Sequence, residues 1–485
     1  MRILHVCSEL YPILKTGGLA DVAGALPLAL ESLGSENRVL VPGFPAFMEG
    51  INEKEIIADL TDEFGGLNVK LLMGKLPGTN ITAYIIESPD LYDRSGNPYA
   101  DSNNQPYSDN YRRFALLGWI AAKIANDLDP NWRPQVLHGH DWHAGLAPAY
   151  IKAMELTQGV QLAGSVFTVH NLAYQGVFPA YTFAELNLPN HFYNVNGLEF
   201  YSQISFLKAG LFYADKITTV SPTYAKEIQT EEQGCGLQGL LNTRRNDLSG
   251  ILNGVDENVW NPAKDPIIAA NYTVKSLTGK QKCRIALQEY AKIAVQEDKP
   301  IFVVVSRLTE QKGLNLVLAG IDEIIEKGGQ LVILGSGDKE LEKAYKAIAK
   351  KHKDQVSVQI GYDEEHAHRL IAGGDIILVP SRFEPCGLTQ LYGLLYGTLP
   401  LVHNVGGLHD TVTDSSLENL AEDTATGFIF NEFELDAYKA AVKRAFALYS
   451  RKADWKKTQK RAMQSNFGWS NSATEYLQIY KQIAR

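Results

Sequence analysis

No apolar run in the 485-residue sequence approaches the roughly 20 residues needed to cross a bilayer, so nothing in it reads as a membrane span. Low-complexity tracts are absent as well. Cysteine is scarce: Cys7, Cys235, Cys283 and Cys386 lie far apart, with no CxxC and no Cys/His ligand pairing. That spacing excludes a disulfide framework and a cysteine-based structural zinc site. Positive charge is not in excess either, and a net charge of −9 disfavours nucleic acid or an anionic membrane as a partner for the whole surface. A local basic pocket is still compatible with that total. The first residues enter a strand pattern by Arg2, without a basic region followed by a long apolar stretch, which reads as an unprocessed cytoplasmic protein.

What is present is the composition of a globular enzyme, 45% hydrophobic and 21% charged, on a chain long enough for two or three domains at roughly 150 residues each. Short β-branched runs alternate with longer helical patterns. Ile3–Val6, Arg38–Val41, Thr82–Glu87, Val136–His138, Ser165–Val169 and Lys216–Val220 are predicted strands. The rhythm restarts after Asp247, with Ile301–Ser306, Leu331–Leu334, Val356–Ile360, Ile376–Pro380 and Leu399–His403 as strands and Leu314–Lys327 as a helical segment. This is the pattern of two parallel α/β domains, the second opening near Leu252. The junction Arg244–Asp256 holds the turn Asn253-Gly254-Val255-Asp256, suited to a hinge. Pro27 falls inside the first helical pattern and predicts a bend there. Trp469–Ile483 is an amphipathic helix that the pattern alone assigns to neither domain.

Open α/β sheets bind ligands beyond the carboxyl ends of their strands, so the residues that follow each strand are the candidates. After the first strand comes Lys15-Thr16-Gly17-Gly18-Leu19-Ala20-Asp21-Val22, a glycine turn opening a helix, with backbone N–H groups and a lysine available to an anion. It matches neither GxxxxGK[ST] nor GxGxxG, and an ordinary strand-to-helix turn fits it equally well. Arg307 and Lys312 leave the strand at 301–306, a fork of donors and a compact charge suited to a diphosphate or to surface ion pairs. Ser381-Arg382-Phe383-Glu384-Pro385-Cys386-Gly387-Leu388-Thr389 repeats the strand, loop and helix arrangement. There Glu384 either faces a sugar or caps the next helix, Gly387, Leu388 and Thr389 offer N–H groups, and Cys386 reads as a packed thiol. Leu137-His138-Gly139-His140-Asp141-Trp142-His143 and Phe167-Thr168-Val169-His170-Asn171-Leu172-Ala173-Tyr174 both end strands in polar and aromatic residues. The histidine spacing is neither HExxH nor a zinc set, and the mixture suits sugar recognition by stacking and by hydroxyl contacts. Asp127-Leu128-Asp129 resembles a DxD motif but is expected at a solvated helix exit.

With these segments in place, the chain resembles the bacterial glycogen synthases and plant starch synthases, which elongate α-1,4-glucan from ADP-glucose. KTGGLADV, HGHDWHAG, FTVHNLAYQG, ILNGVD, VSRLTEQKG, RFEPCGLTQLYG and VGGLHDTV occur in that family's order and approximate spacing across nearly the whole chain. The bacterial branch is the nearer, since the KTGGL segment begins at Lys15. The resemblance implies an α/β GT-B architecture, two Rossmann-like domains facing an interdomain cleft: residues 1–248 joined by a C-terminal helix at 466–485, and residues 249–465. It implies retaining glucosyl transfer with no metal and no cofactor, with ADP-glucose as donor, ADP as product, and glycogen or maltooligosaccharides as acceptor. Arg307, Lys312 and the turn Cys386, Gly387, Leu388 and Thr389 would hold the diphosphate, with Lys15, Gly17, Gly18 and Asp21 reaching it from the first domain. Glu384 corresponds to the glutamate beside the donor glucose, His170, Asn171 and Asp141 to positions near that sugar and the acceptor, Asn253 to the hinge, and Tyr362 to the adenine.

Many retaining transferases of this fold carry a Glu-x7-Glu pair, whereas the residue eight after Glu384 is Tyr392. That departure is usual for the resembled family and counts against a generic UDP- or GDP-sugar transferase. Same-face attack is the expected route to retention, because no covalent nucleophile stands out. Three other readings use similar parts. A sugar-nucleotide epimerase would need no glucan, a silent glycan binder would release no nucleotide, and a phosphorylase would carry pyridoxal phosphate with its own absorbance.

Overall fold

The computed structural model describes all 485 residues and divides into two compact units, Met1–Gly254 with Trp469–Arg485, and Val255–Gly468. The divide falls a few residues beyond the expected 248, for a local reason. Ile251 donates its N–H to the Thr219 carbonyl and Ser472 Oγ donates to the Leu252 carbonyl, which holds residues 249–254 to the first unit. Val255 N–H donates to the Phe467 carbonyl, 2.7 Å, which keeps residues 466–468 with the second.

In the first unit the strands run, in chain order, β1 (Arg2–Val6), β2 (Glu36–Pro42), β3 (Asn52–Asp59), β4 (Lys70–Lys75), β5 (Thr82–Glu87), β6 (Val136–His140), β7 (Gly164–Val169), β8 (Val177–Pro179), β9 (Glu199–Phe200), β10 (Gln203–Ser205), β11 (Lys216–Thr219) and β12 (Leu248–Gly250). Nine of them form one sheet in the order β12-β11-β7-β6-β1-β2-β5-β4-β3, parallel except for the antiparallel β4 and β3 at one edge. The central strands are covered on both faces, which is why Ile3, Leu4, Val6, Val39, Leu40 and Val41 form an almost unbroken apolar run rather than an alternation. Winding reverses between β1 and β6, since β1 leads outward to β2 and β6 returns on its other side. A separate antiparallel ribbon, β8-β10-β9, follows β7.

The helix Gly18–Glu31 continues unbroken through Pro27. Its Val22, Leu26 and Leu30 join Ile3, Trp469, Ala473, Tyr476 and Tyr480 in one buried cluster, so the helix Trp469–Ile483 packs on the first unit. Asp129 departs from its expected solvation: it is 3% exposed and accepts from Arg38 Nη1 at 3.0 Å and from the Tyr84 hydroxyl at 2.5 Å.

The second unit holds a single six-stranded, wholly parallel sheet: β13 (Ile301–Val305), β14 (Gln330–Gly335), β15 (Val356–Ile360), β16 (Ile376–Val379), β17 (Leu399–His403) and β18 (Phe428–Phe430). The order β15-β14-β13-β16-β17-β18 is that of a doubly wound nucleotide-binding sheet, with its switch point between β13 and β16. The helix expected over Leu314–Lys327 is two, Leu314–Ala319 and Ile321–Ile325. They part at Gly320, where a Cβ would lie 2.7 Å from the Tyr438 ring. No helix of the chain is long and apolar enough to cross a membrane.

Candidate active site

In the second unit the switch point gathers the exits of β13 and β16. Arg307 lies just past β13, exposed, with Nη2 donating to Gln311 Oε1 at 3.2 Å. Lys312 closes the same loop, and its Nζ donates to Glu384 Oε2 at 2.6 Å; Ser381 Oγ donates to the same oxygen at 2.8 Å. The two strand exits are stitched together by Arg382 N–H to the Gln311 carbonyl, 2.8 Å, and Gln311 Nε2 to the Phe383 carbonyl, 3.3 Å. Gly313 permits this approach: it sits at φ 73°, and a Cβ there would lie 2.0 Å from the Pro380 carbonyl oxygen. Gly406 does the same on the far side, at φ 46° with a Cβ position 2.0 Å from the Glu384 carbonyl oxygen. Gly407 N–H donates to that oxygen at 3.1 Å. Two glycines and a glutamine therefore fix the loop that carries a buried carboxylate beside a lysine.

Glu384 does not cap the following helix. Helix Thr389–Tyr396 begins from Leu388 with no side chain on its N-terminal N–H groups, and Gly387 turns into it at φ 74°. Gln390 Nε2 is occupied with the carbonyls of Cys386 and Gly387, both at 2.9 Å. Cys386 is 4% exposed and an unbridged thiol, as are the other three cysteines. Tyr362 follows β15 with its ring largely exposed and its hydroxyl donating to Glu364. The unit thus presents two cations, a paired carboxylate and an uncapped helix start at one sheet edge, an arrangement that receives an anionic leaving group and a polar sugar together.

In the first unit the residues after β1, β6 and β7 meet at the other switch point. Lys15 Nζ pairs with Asp21 Oδ1 at 2.9 Å, so its ammonium is aligned along the glycine turn by a carboxylate from the helix. The N–H groups of that turn are not all available to an anion. Glu9, 3% exposed, accepts from Thr16 N–H at 2.6 Å, Thr16 Oγ1 at 2.6 Å and Gly17 N–H at 3.2 Å, and also from the Tyr99 hydroxyl. The Gly17 N–H is thus held by a carboxylate of the chain itself. Glu9 went unrecognised in the sequence because a single acidic residue has no pattern. Its place three residues beyond β1 was the available signal.

Asp141 ends β6 at φ 58°, ψ −179°, a conformation nearly confined to glycine and costing about 1–3 kcal/mol. Its Oδ1 accepts from His170 N–H at 2.7 Å and Asn171 N–H at 3.4 Å, pinning the loop after β7. Burial raises its pKa to about 7, outweighing those two N–H bonds, so it titrates in the neutral range. His170 is half-buried, and enclosure lowers its pKa to about 3, so it is a neutral imidazole at the site. Its Nε2 shares a 3.1 Å hydrogen bond with His140 Nδ1. Asn171 Oδ1 accepts from Ala173 N–H at 3.0 Å in a tight turn. Asn253, 7% exposed, leaves its side-chain oxygen without a partner just before the end of the first unit's continuous stretch.

The polar residues of HGHDWH are enclosed: Asp141 is 8% and His143 6% exposed. His138 and His140 lie within the strand at 0% exposure. His138 hydrogen bonds Tyr480 OH at 2.7 Å and Thr168 Oγ1 at 2.6 Å. His5, His138 and His140 place ring nitrogens within 4.8 Å of one another, but both His138 nitrogens are committed to hydroxyls. Trp142 packs edge-on against Phe114 and over Gly176 instead of presenting a stacking face.

Two doubly wound α/β units, each with its polar groups at a switch point, define a glycosyltransferase of the GT-B type. A likeness in fold alone extends to sucrose-phosphate synthase from Thermosynechococcus elongatus, at TM-score 0.59 and 17% identity over 99% of this chain and 98% of that one. The catalytic domain of starch synthase IV from Arabidopsis thaliana, solved bound to ADP and acarbose, is far more similar: TM-score 0.89 and 29% identity, covering 100% of this chain and 99% of that one. Residues 2–243 match the starch synthase catalytic domain family and residues 288–462 the glycosyl transferases group 1 family. The glycogen synthase of Francisella tularensis subsp. novicida is 63% identical over 100% of this chain and 99% of its own length, and that of Francisella philomiragia subsp. philomiragia is 63% identical over 100% of both. The chain belongs to the glycogen synthase family.

Proposed function

We propose that this protein works in the cytoplasm, transferring glucose with retention from ADP-glucose to the non-reducing end of an α-1,4-glucan and releasing ADP without a divalent metal. The observation that carries the reading is the Arg307, Lys312 and Glu384 group at the second unit's switch point. Breaking the bond from glucose C1 to the β-phosphate oxygen leaves positive charge on the sugar and negative charge on the phosphate. Arg307 and Lys312 meet the phosphate, with the helix start at Leu388–Thr389 adding N–H groups, and the Glu384 carboxylate faces the sugar. As the phosphate gains charge it draws Lys312 from Glu384, which strengthens the carboxylate's field on the sugar at the same moment. Tyr362, exposed after β15, offers its ring to the adenine.

The first unit supplies the acceptor side. Lys15, aligned by Asp21, offers an ammonium to an anion, while neutral His170 offers a ring N–H or lone pair to a sugar hydroxyl. In same-face attack the acceptor's 4-hydroxyl oxygen forms the new bond to C1 as the phosphate oxygen leaves, and that oxygen takes the hydroxyl proton. No base on the protein is needed. The test is glucan-dependent ADP release from ADP-glucose in EDTA. Release by the native protein, reduced by at least ~2 kcal/mol in transition-state stabilisation in Arg307→Ala and Lys312→Ala, supports the reading. Release that requires added Mg²⁺, or variants as efficient as the native protein, would remove the role given to the cations.

A further inference from the structure

In the proposed transfer His170 meets a sugar hydroxyl, and one of its two ring nitrogens is already taken. β6 and β7 run parallel, with His138 opposite Val166 and His140 opposite Thr168. Each histidine of β6 bonds the residue two places beyond its partner. His138 Nε2 meets Thr168 Oγ1 at 2.6 Å, and His140 Nδ1 meets His170 Nε2 at 3.1 Å. Residues two apart on a strand share a face, so one diagonal contact occurs twice, and its second occurrence ends on the ring of His170. The next residue completes the hold, since Asp141 Oδ1 accepts the His170 backbone N–H at 2.7 Å. Consecutive residues at the end of β6 therefore fix both parts of His170, Asp141 the backbone and His140 the ring.

Apart from His170, no group of the protein hydrogen bonds the His140 ring. It is fully buried, and its Nε2 has no partner. The two imidazoles packed against it are committed elsewhere. His138, with its centroid 4.1 Å away, has the hydroxyls of Tyr480 and Thr168 on its two nitrogens. His5, stacked at 5.9 Å, is bonded through Nε2 to Asn37 Oδ1 at 3.1 Å. Asn37 Nδ2 donates to Ser35 Oγ at 3.0 Å, which turns the amide oxygen toward His5 and makes His5 Nε2 the donor. The His5 Nδ1 lone pair is itself unpartnered, out of hydrogen-bond reach of His140. Burial lowers the pKa of His5, His138, His140 and His170, so all four are neutral and each carries a single ring N–H. If His170 donated to His140, the one N–H of His140 would sit on Nε2, buried with no group of the protein to accept it. If His140 donates from Nδ1, its Nε2 keeps only a lone pair, and a buried acceptor without a partner is the commoner and milder defect.

We infer that His140 is a positioning residue: it donates Nδ1–H to His170 Nε2 and so holds His170 as the Nδ1–H tautomer, which presents a hydrogen-bond donor to the sugar. A donor binds a hydroxyl oxygen without drawing off its proton. His170 then orients the sugar and is no base, in keeping with a transfer in which the leaving phosphate oxygen takes the proton. The role toward sugar rests on the proposed reaction, whereas the tautomer is a property of the free protein.

The experiment is nitrogen-15 NMR of the full-length protein carrying labelled histidine, with the His170 signals assigned among the 11 histidines by their absence from His170→Gln. The proton of the His170 ring is expected on Nδ1 in the native protein and on Nε2, the form an unconstrained side chain prefers in water, in His140→Leu. In the same variant kcat/KM for glucan-dependent ADP release should fall about tenfold. His140→Asn, whose amide N–H lies near the place of Nδ1–H, should return it to within about threefold of native. A proton on Nε2 of native His170 overturns the inference, and so does a His170 tautomer unchanged in His140→Leu. Equal loss of activity in the Leu and Asn variants overturns the positioning role and leaves His140 a packing residue. If the native protein releases no ADP with glucan while His170 changes tautomer as described, the proposed reaction fails and the hydrogen-bond assignment stands.

Discussion

Glu384 and Lys312 form a 2.6 Å charge pair at the second unit's switch point, and both belong to the group proposed to act on the donor. Replacing Glu384 by Gln keeps an acceptor for Ser381 and Lys312 but deletes the field on the developing positive sugar. Its kcat/KM should fall by at least ~2 kcal/mol, about 30-fold, with little change in melting temperature; steady-state kinetics on folded protein checks this. Asp141 makes a second, independent test. A carboxyl whose pKa is raised by folding, here to about 7, binds more protons in the folded state, so its contribution is fully present below the unfolded value and is lost as pH rises to about 7. Asp141→Asn keeps the acceptor for the His170 N–H and removes the titration. The stability of the native protein relative to this variant should therefore fall by about 1.4 kcal/mol per pH unit from pH 4 to pH 7, then level off. Urea unfolding of both proteins at several pH values measures it, and parallel curves would place the Asp141 pKa near its ordinary value.

Glycine-dependent loops set these side chains, and the same loops show which parts of the structure could be read from the chain. Gly313→Ala adds a Cβ against backbone that cannot move aside and strains φ 73°, so it should cost more than about 1 kcal/mol and lower activity by displacing Lys312. Thermal unfolding and kinetics together show both effects. Tyr480→Phe would leave the buried His138 Nδ1 unpaired, costing about 1–3 kcal/mol and loosening the helix Trp469–Ile483 on the first unit, which hydrogen exchange in that helix would report. The central strands, and the loops after β1, β7, β13 and β16, were legible because parallel strands buried on both faces form dense apolar runs that stop where polar residues begin. β3 was not, since almost none of its side chains is buried, and β18 is three residues long. Burial was also hidden within β6: His138 and His140 lie two residues apart on one face, and because every residue of the strand is buried no alternation marks that face as covered. Glu9 acts through bonds to Thr16 and Gly17 that no motif announces, and Ser381, although inside the 381–389 segment, reaches Glu384 only because the loop folds back on itself.

At the scale of the whole chain, the match to glycogen synthases over its full length and the doubly wound sheet in each unit point to one reaction with two substrates. In the proposed reaction the donor side depends on cations at a strand exit, the acceptor side on neutral imidazole and amide groups. The two should therefore respond differently to salt: KM for ADP-glucose should rise with ionic strength, while KM for maltotriose stays level. Initial rates from low to high KCl check this, and a parallel rise in both would contradict the division of labour. The most direct test of the central claim is transfer of labelled glucose to glycogen in EDTA, from ADP-glucose and from UDP-glucose in parallel, with the product digested by an α-1,4-specific amylase. Amylase-sensitive label, incorporated faster from ADP-glucose, is the expected result. Faster incorporation from UDP-glucose would contradict the donor, and no incorporation by folded, nucleotide-binding protein would contradict the reaction itself.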